Sequence, residues 1–316
     1  MSSLSALFRP TMMKTSLDHL PPQKQRELAR VLEILHEEFE DALKGSSSNW
    51  KKRGRILKVI LFGSYARGAW VDEPHTTKGY RSDFDLLIIV NNRKLGEYEP
   101  YWHKAVDRFL HDREIKTPVS FIVHSRREVN EAIRKGQYFF TDIRKEGIVL
   151  YELDDEPLVE PRPRTAKEAY ATAKEHFEER LPFAASMMKS FRLHLDDNEL
   201  RQAAFLLHQA IEHGYSGLLL TLTNYAPPSH NIKFLRSLAE EQDRSLVEAW
   251  PREQSTQRAW FNTLVEAYVK ARYSKHYRID REALLWLGEC TQRLHQLVEA
   301  SCRRQLATLA RDAGET

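Results

Sequence analysis

The most constraining stretch of the chain is Val59-Ile60-Leu61-Phe62-Gly63-Ser64-Tyr65-Ala66-Arg67-Gly68, answered by Ser82-Asp83-Phe84-Asp85-Leu86-Leu87-Ile88-Ile89-Val90. The first half reads as a buried strand that empties into a Gly-Ser turn and a helix start. Such a turn leaves backbone N–H groups without helical partners, which favours an anion such as phosphate. The second half reads as a strand with two carboxylates at alternate positions, so Asp83 and Asp85 share a face and Phe84 is buried behind them. Side-by-side carboxylates repel unless a cation lies between them, and Mg²⁺ held by one or two carboxylates plus substrate phosphates meets that demand. A phosphate cradle and a carboxylate pair on adjacent strands make a nucleotide-plus-metal site.

Gly63-Ser64, Arg67-Gly68 and Ser82-Asp83-Phe84-Asp85, in this order and between hydrophobic strands, resemble the signature of the nucleotidyltransferase superfamily, of the minimal, polymerase-beta-like kind. The resemblance implies an α/β domain with a mixed sheet. It implies Mg²⁺ of the two-metal type at Asp83 and Asp85, and ATP or another NTP as substrate. Gly63 and Ser64 would bind the β and γ phosphates, with Arg67 adding a charge and Ser82 completing the nucleotide-binding set. The implied reaction is transfer of NMP, AMP from ATP first among the choices, to a hydroxyl with pyrophosphate leaving. The acceptor stays open among a small molecule, a protein tyrosine and an RNA end.

At 316 residues the length suggests two domains, each able to bury a core. A net charge of +3 is mild, so composition alone does not point to a nucleic-acid binder. Cys290 and Cys302 fall on one expected helix and cannot bridge within it, and no C-x-x-C occurs, as in a reduced cytoplasmic protein. Residues 1–16 hold no long apolar segment and no span approaches a transmembrane length, so neither secretion nor a membrane location is expected.

In the N-terminal part, Leu28, Val31, Leu32, Leu35, Phe39 and Leu43 predict a helix over 21–44. The basic run Lys51-Lys52-Arg53-Gly54-Arg55 reads first as a solvated surface and second as a hold on a polyanion. Between Arg67 and Ser82 the connection is long, and Glu73, His75, Lys78 and Arg81 in it are candidate contacts to metal or triphosphate. A helix is expected over 101–110, with Trp102, Val106, Phe109 and Leu110 on one stripe. Strands follow at 118–123 and 147–151, with a Ser125-capped helix and an apolar segment at 138–143 between them. The family resemblance implies a third carboxylate on the strand at 118–123, where this chain has Ser120. A hydroxyl neither balances metal charge nor accepts a proton well near neutral pH, so Asp112, Glu114 or Glu73 is the expected substitute. The alternative is a site that binds nucleotide with little chemistry.

These elements place a nucleotidyltransferase domain over 1–152 and a charged, proline-rich linker over 153–164. Over 165–316 they place an all-α antiparallel bundle that opens with a Thr165/Glu168 capping box. Helices are expected at 198–223, 229–241, 259–273 and 280–309. Ala203-Ala204-Phe205, Gln209-Ala210-Ile211-Glu212 and Tyr215 on one helix resemble HEPN domains, as do His230-Asn231-Ile232-Lys233 and Lys270-Ala271-Arg272-Tyr273-Ser274-Lys275-His276-Tyr277. That resemblance implies a possible HEPN site at Arg272 and His276, with Tyr273 and Tyr277 as candidate nucleotide acceptors, and a homodimer through the helical domain. Arg272 and His276 have three residues between them where metal-independent HEPN RNases have four to six, so His276 also reads as a loop histidine. His208 and Glu212 lie one helical turn apart, and the ordinary reading is a helix edge with a satisfied histidine. A second functional class follows from the same pairing: a weakened nucleotide-binding module that regulates a HEPN domain in a toxin–antitoxin or defence setting.

Overall fold

Apolar runs without alternation give strands buried on both faces, and the two central strands of the N-terminal unit are of this kind. The computed structural model describes residues 13–44, 48–71, 82–162, 164–251 and 254–315. The chain divides into two compact units, with the boundary between 163 and 164. In chain order the first unit holds α1 (Pro22–Leu43), α2 (Asn49–Lys52), β1 (Ile56–Phe62), α3 (Gly63–Arg67) and β2 (Phe84–Val90). It continues with α4 (Tyr98–Tyr101), α5 (His103–His111), β3 (Val119–Ser125), α6 (Arg126–Arg134), α7 (Tyr138–Glu146) and β4 (Ile148–Glu152). The sheet order is β3-β2-β1-β4, with β1 antiparallel to β2 and β4, and β2 parallel to β3.

One face of this sheet carries Val59, Leu61, Phe84, Leu86, Ile88 and Val90, which meet Leu28, Val31, Leu35 and Phe39 of α1 and Trp102 between α4 and α5 in one core. The opposite face is covered by α6 and α7, where Phe62 packs edge-on against Phe139 (5.4 Å) and His124 against Phe140 (5.4 Å). A Ser125/Glu128 capping box starts α6 as the sequence predicts. The stripe expected over 101–110 is corrected at its end: Leu110 is 77% exposed, because α5 starts only at His103 after a break at Trp102 and turns that position outward.

The proline-rich segment expected as a linker is held on the first unit up to the boundary. Arg126 binds Asp154 and Glu156, Arg144 binds Glu160, Asn130 accepts from the Val159 N–H (3.2 Å), and Leu158 is buried.

The second unit is helical: α8 (Ala166–Asp196), α9 (Leu200–Thr223), α10 (Ile232–Gln242), α11 (Ser255–Val265), α12 (Ala267–Tyr273) and α13 (Arg281–Ala313). Thr165 and Glu168 form the expected capping box, and a short turn through Asn198 in the left-handed region folds α9 back along α8. Gly217 permits a close approach there, since a Cβ at this position would lie 3.1 Å from Arg180 Cβ. The single helix expected over 259–273 is broken at Glu266 into α11 and α12. Cys290 and Cys302 are buried free thiols. Among the described residues no helix is long and apolar enough to cross a membrane.

The strand that bears Ser120 is positioned from α1. Glu27, 2% exposed, accepts hydrogen bonds from the backbone N–H of Lys116 (3.1 Å) and Thr117 (2.8 Å), and Lys24 Nζ donates to Thr117 Oγ1 (2.6 Å). Removing one partner strands buried N–H groups at roughly 1–3 kcal/mol each. Glu27→Ala is therefore expected to destabilise the first unit by about 2–4 kcal/mol, read as a fall in its urea-unfolding midpoint; an unchanged midpoint contradicts this anchoring role.

Candidate nucleotide and metal site

The turn after β1 depends on its glycine. Phe62 is extended, and Gly63 follows at φ 73°, a left-handed conformation that side chains resist. The helix α3 it opens has only five residues and stops at Gly68, again left-handed (φ 74°). Ser64 is 1% exposed beneath this turn. Tyr65 is fully buried, stacked on Trp70 (5.4 Å, 9° between planes) and tilted against Phe84 (4.5 Å), and its carbonyl contacts His19 Nε2 (2.8 Å). The turn is thus fixed from below by aromatic packing.

The carboxylates sit beside it. Asp85 is in register with Phe62 on β1 and with Ser120 on β3, so these three side chains share the sheet face covered by α7. Asp85 is 1% exposed, Asp83 is half-buried, and Ser120 Oγ donates to Asp83 Oδ2 (3.1 Å). Phe84 is fully buried on the other face, as period 2 requires. The donors gathered here are two carboxylates and a hydroxyl. This all-oxygen set fits Mg²⁺, which completes its shell with waters and substrate phosphates. Among the described residues no group of three or more His, Cys, Asp or Glu side chains is placed to hold a metal.

Arg67 and Ser82 are placed around this centre. Arg67 Nη1 lies 3.9 Å from Glu146 Oε2 on α7. Ser82 is buried and pairs with Val71 twice, its N–H donating to the Val71 carbonyl (2.8 Å) and its Oγ accepting from the Val71 N–H (3.0 Å), which closes the base of the connection between them. Of the expected substitute carboxylates, Asp112 is engaged by the Glu114 N–H (2.8 Å) and the Arg30 guanidinium (3.0 Å), which together hold its carboxyl below the usual range. Glu73, His75, Lys78 and Arg81 lie outside the described residues.

Asp142 is a further carboxylate of this unit, with no signal of its own in the sequence. It lies on α7 with Phe139 and Glu146, an i, i+3, i+7 edge that the apolar content of 138–143 hid. Asp142 is exposed, yet the protein atoms around it push its carboxyl pKa up. Glu146 adds to this, and Lys145 and Arg67 oppose it.

In the helical unit Arg272 lies in the last turn of α12. His276 is exposed in the turn after α12, and among the described residues its side chain makes no hydrogen bond or ion pair. Arg272 lies on the rings of Tyr268 (4.2 Å), Phe205 (5.0 Å) and Tyr273 (5.0 Å), and its Nε donates to the Tyr268 carbonyl (2.6 Å). Tyr277 is 4% exposed, donates to the Thr263 carbonyl (3.2 Å) and has its pKa raised by burial, so it is a packing residue; Tyr273 is 76% exposed. His208 is not on a helix edge but fully buried, 3.8 Å from Glu212. Burial and then the nearby charge of His230 push its pKa down to about 3, which keeps it neutral. Glu212 accepts from His230 Nδ1 (3.0 Å), and the His230 ring stacks on Tyr268 (3.8 Å, 13° between planes). His230, from the loop before α10, and Arg272 thus both lie against the Tyr268 ring.

The carboxylate face gives a direct test. Ser120→Asp would set a third carboxylate beside Asp83, about 3 Å away, where like charges repel unless a cation intervenes. Without divalent metal this variant is expected to melt several degrees below wild type, and millimolar Mg²⁺ is expected to restore most of the loss. A melting temperature indifferent to Mg²⁺ argues against a metal site on this face.

Comparison with known proteins agrees with this division. Residues 40–139 match the nucleotidyltransferase domain family and residues 177–301 match the HEPN domain family. A curated protein of Methanocaldococcus jannaschii, named "Putative protein adenylyltransferase", is 50% identical over 52 residues, 16% of this chain. The match spans about two fifths (39%) of that relative's length. The chain carries a nucleotidyltransferase domain followed by a C-terminal HEPN domain.

Proposed function

We propose that the N-terminal unit is a Mg²⁺-dependent nucleotidyltransferase that moves AMP from ATP to a hydroxyl. The observation that carries the reading is the register that sets Asp85 between the Gly63–Ser64 turn and Ser120, with Asp83 two residues away on the same face. Asp83 and Asp85 would hold the metal, which when bound neutralises the phosphates and the charge that develops in an in-line displacement. Gly63 and Ser64 bind and orient the β and γ phosphates. Arg67, which lies near Glu146, would add a positive charge to a phosphate oxygen. The acceptor oxygen attacks the α-phosphorus, the bond to pyrophosphate breaks, and the acceptor proton passes to a base. The name of the similar protein supports a protein hydroxyl as acceptor, ahead of a small molecule or an RNA end.

A second reading is favoured by one contact. Ser120, in the place of a third carboxylate, donates to Asp83 rather than adding charge, which suits a module that binds nucleotide and regulates the attached HEPN domain. The helical unit then supplies the regulated partner, as a homodimer in either reading.

The test is incubation of the full chain with α-labelled ATP and Mg²⁺, alone and with cell extract. Label is expected on protein, and Asp83→Ala/Asp85→Ala is expected to reduce it by at least 100-fold without a fall in melting temperature. Metal-dependent ATP binding with no transfer to protein, small molecules or RNA favours the regulatory reading. Transfer that survives the double substitution contradicts both.

A further inference from the structure

The end of the N-terminal sheet remote from the carboxylates carries a second concentration of charge. There β1 begins and β2 ends, with Ile56 paired to Val90. Before β1 come α2 and the turn that bears Lys51, Lys52, Arg53 and Arg55; after β2 comes a 3-10 turn, Arg93–Gly96. Asn91 ties the two segments together: its side-chain amide donates to the Arg53 carbonyl (2.7 Å) and accepts from the Arg55 N–H (3.0 Å). Gly54 lies so close under α1 that a Cβ there would stand 2.9 Å from Leu43 Cδ1, which presses this turn onto the core. Six cations are thereby held on a fixed backbone frame. Arg93 pairs with Glu128 (3.1 Å); the other five make no ion pair with a carboxylate among the described residues. In a chain of net charge +3 this is a strong local excess.

Trp50 stands in the middle of it. Its half-buried ring is approached by Lys51 Nζ at 5.7 Å and, from the other segment, by Lys94 Nζ at 5.4 Å. An indole flanked by ammonium groups offers a stacking surface together with phosphate partners, the pairing by which single-stranded nucleic acid is held without sequence preference. A base that displaces one ammonium from the ring face leaves that ammonium free to meet a phosphate. The indole packs in part against the core of the unit, which holds it in place, and an acidic protein surface would leave its open face unused.

We infer that this surface of the N-terminal unit, built from Trp50, Lys51, Lys52, Arg53, Arg55 and Lys94, binds single-stranded nucleic acid. It lies about 20 Å from the carboxylates, by the seven-residue length of the intervening strand at ~3.3 Å per residue. It is separate from the transfer site and does not depend on nucleotide transfer.

The test uses the full chain and fluorescence anisotropy with a labelled 15-nucleotide oligouridylate, a duplex of equal length and heparin as competitor, from 50 to 200 mM salt. The single strand is expected to bind more tightly than the duplex, with a log–log salt slope of about −2 to −4, as three to five released counterions give. Lys52→Glu/Arg53→Glu/Lys94→Glu, all exposed positions, is expected to weaken binding at least 30-fold without changing the melting temperature. Trp50→Ala is expected to weaken it roughly 5- to 100-fold with little change in salt slope. Lack of binding at 50 mM salt overturns the proposal, as does binding that the charge reversal leaves intact, which would move nucleic acid to another surface. Binding that is indifferent to Trp50→Ala and equally strong for heparin also overturns it, as a polyanion surface without stacking.

Discussion

A carboxylate buried near the start of a central strand is the constraint on which the first unit turns. Asp85 is 1% exposed and Asp83 lies two residues away on the same face. Their mutual repulsion, added to the cost of taking an ionised group out of water, amounts to several kcal/mol unless a cation or fixed dipoles offset it. Sheet register determines what stands nearby: Phe62 leading into Gly63 on one side, Ser120 on the other. A slip of one residue would turn Asp85 into the apolar core shared with α1 and bring Phe84 out. The core residues Leu86, Ile88 and Val90 forbid that slip, so the hydrophobic packing on one face fixes the electrostatics of the other.

The turn and the strand depend on each other in the same way. Gly63 needs its left-handed backbone to redirect the chain, and Tyr65, locked between Trp70 and Phe84, keeps the turn from relaxing. On the other side of the site Glu27 of α1 fixes the entry into β3 and with it Ser120. The site is therefore held by elements far apart in sequence, one through backbone conformation, one through aromatic packing and one through a buried carboxylate.

The centre of this arrangement was legible in the residues because it is local: alternation sets Asp83 and Asp85 together, the Gly-Ser pair marks the turn, and the Ser125 and Thr165 capping boxes mark helix starts. What the sequence concealed was set by tertiary contact. Leu110 fits an apolar stripe only if the helix runs unbroken through Trp102, and it does not. Glu266 splits a continuous helical pattern because α12 must redirect toward α9. The proline-rich segment after β4 is fastened to the first unit by Arg126 and Arg144, whose roles no local pattern betrays. Asp142 was hidden among apolar neighbours, and His230 was passed over as the partner of Glu212 because eighteen positions separate them in the chain.

If Asp83 and Asp85 form the metal–nucleotide centre, metal binding must depend on both. The most direct measurement is Mn²⁺ binding by electron paramagnetic resonance, with Mn²⁺ standing in for Mg²⁺, in the presence and absence of ATP, for wild type and Asp83→Asn/Asp85→Asn. The account predicts ATP-enhanced Mn²⁺ binding in the wild type that falls at least tenfold in the double variant while its melting temperature is kept. Mn²⁺ binding of equal strength in both proteins would contradict it.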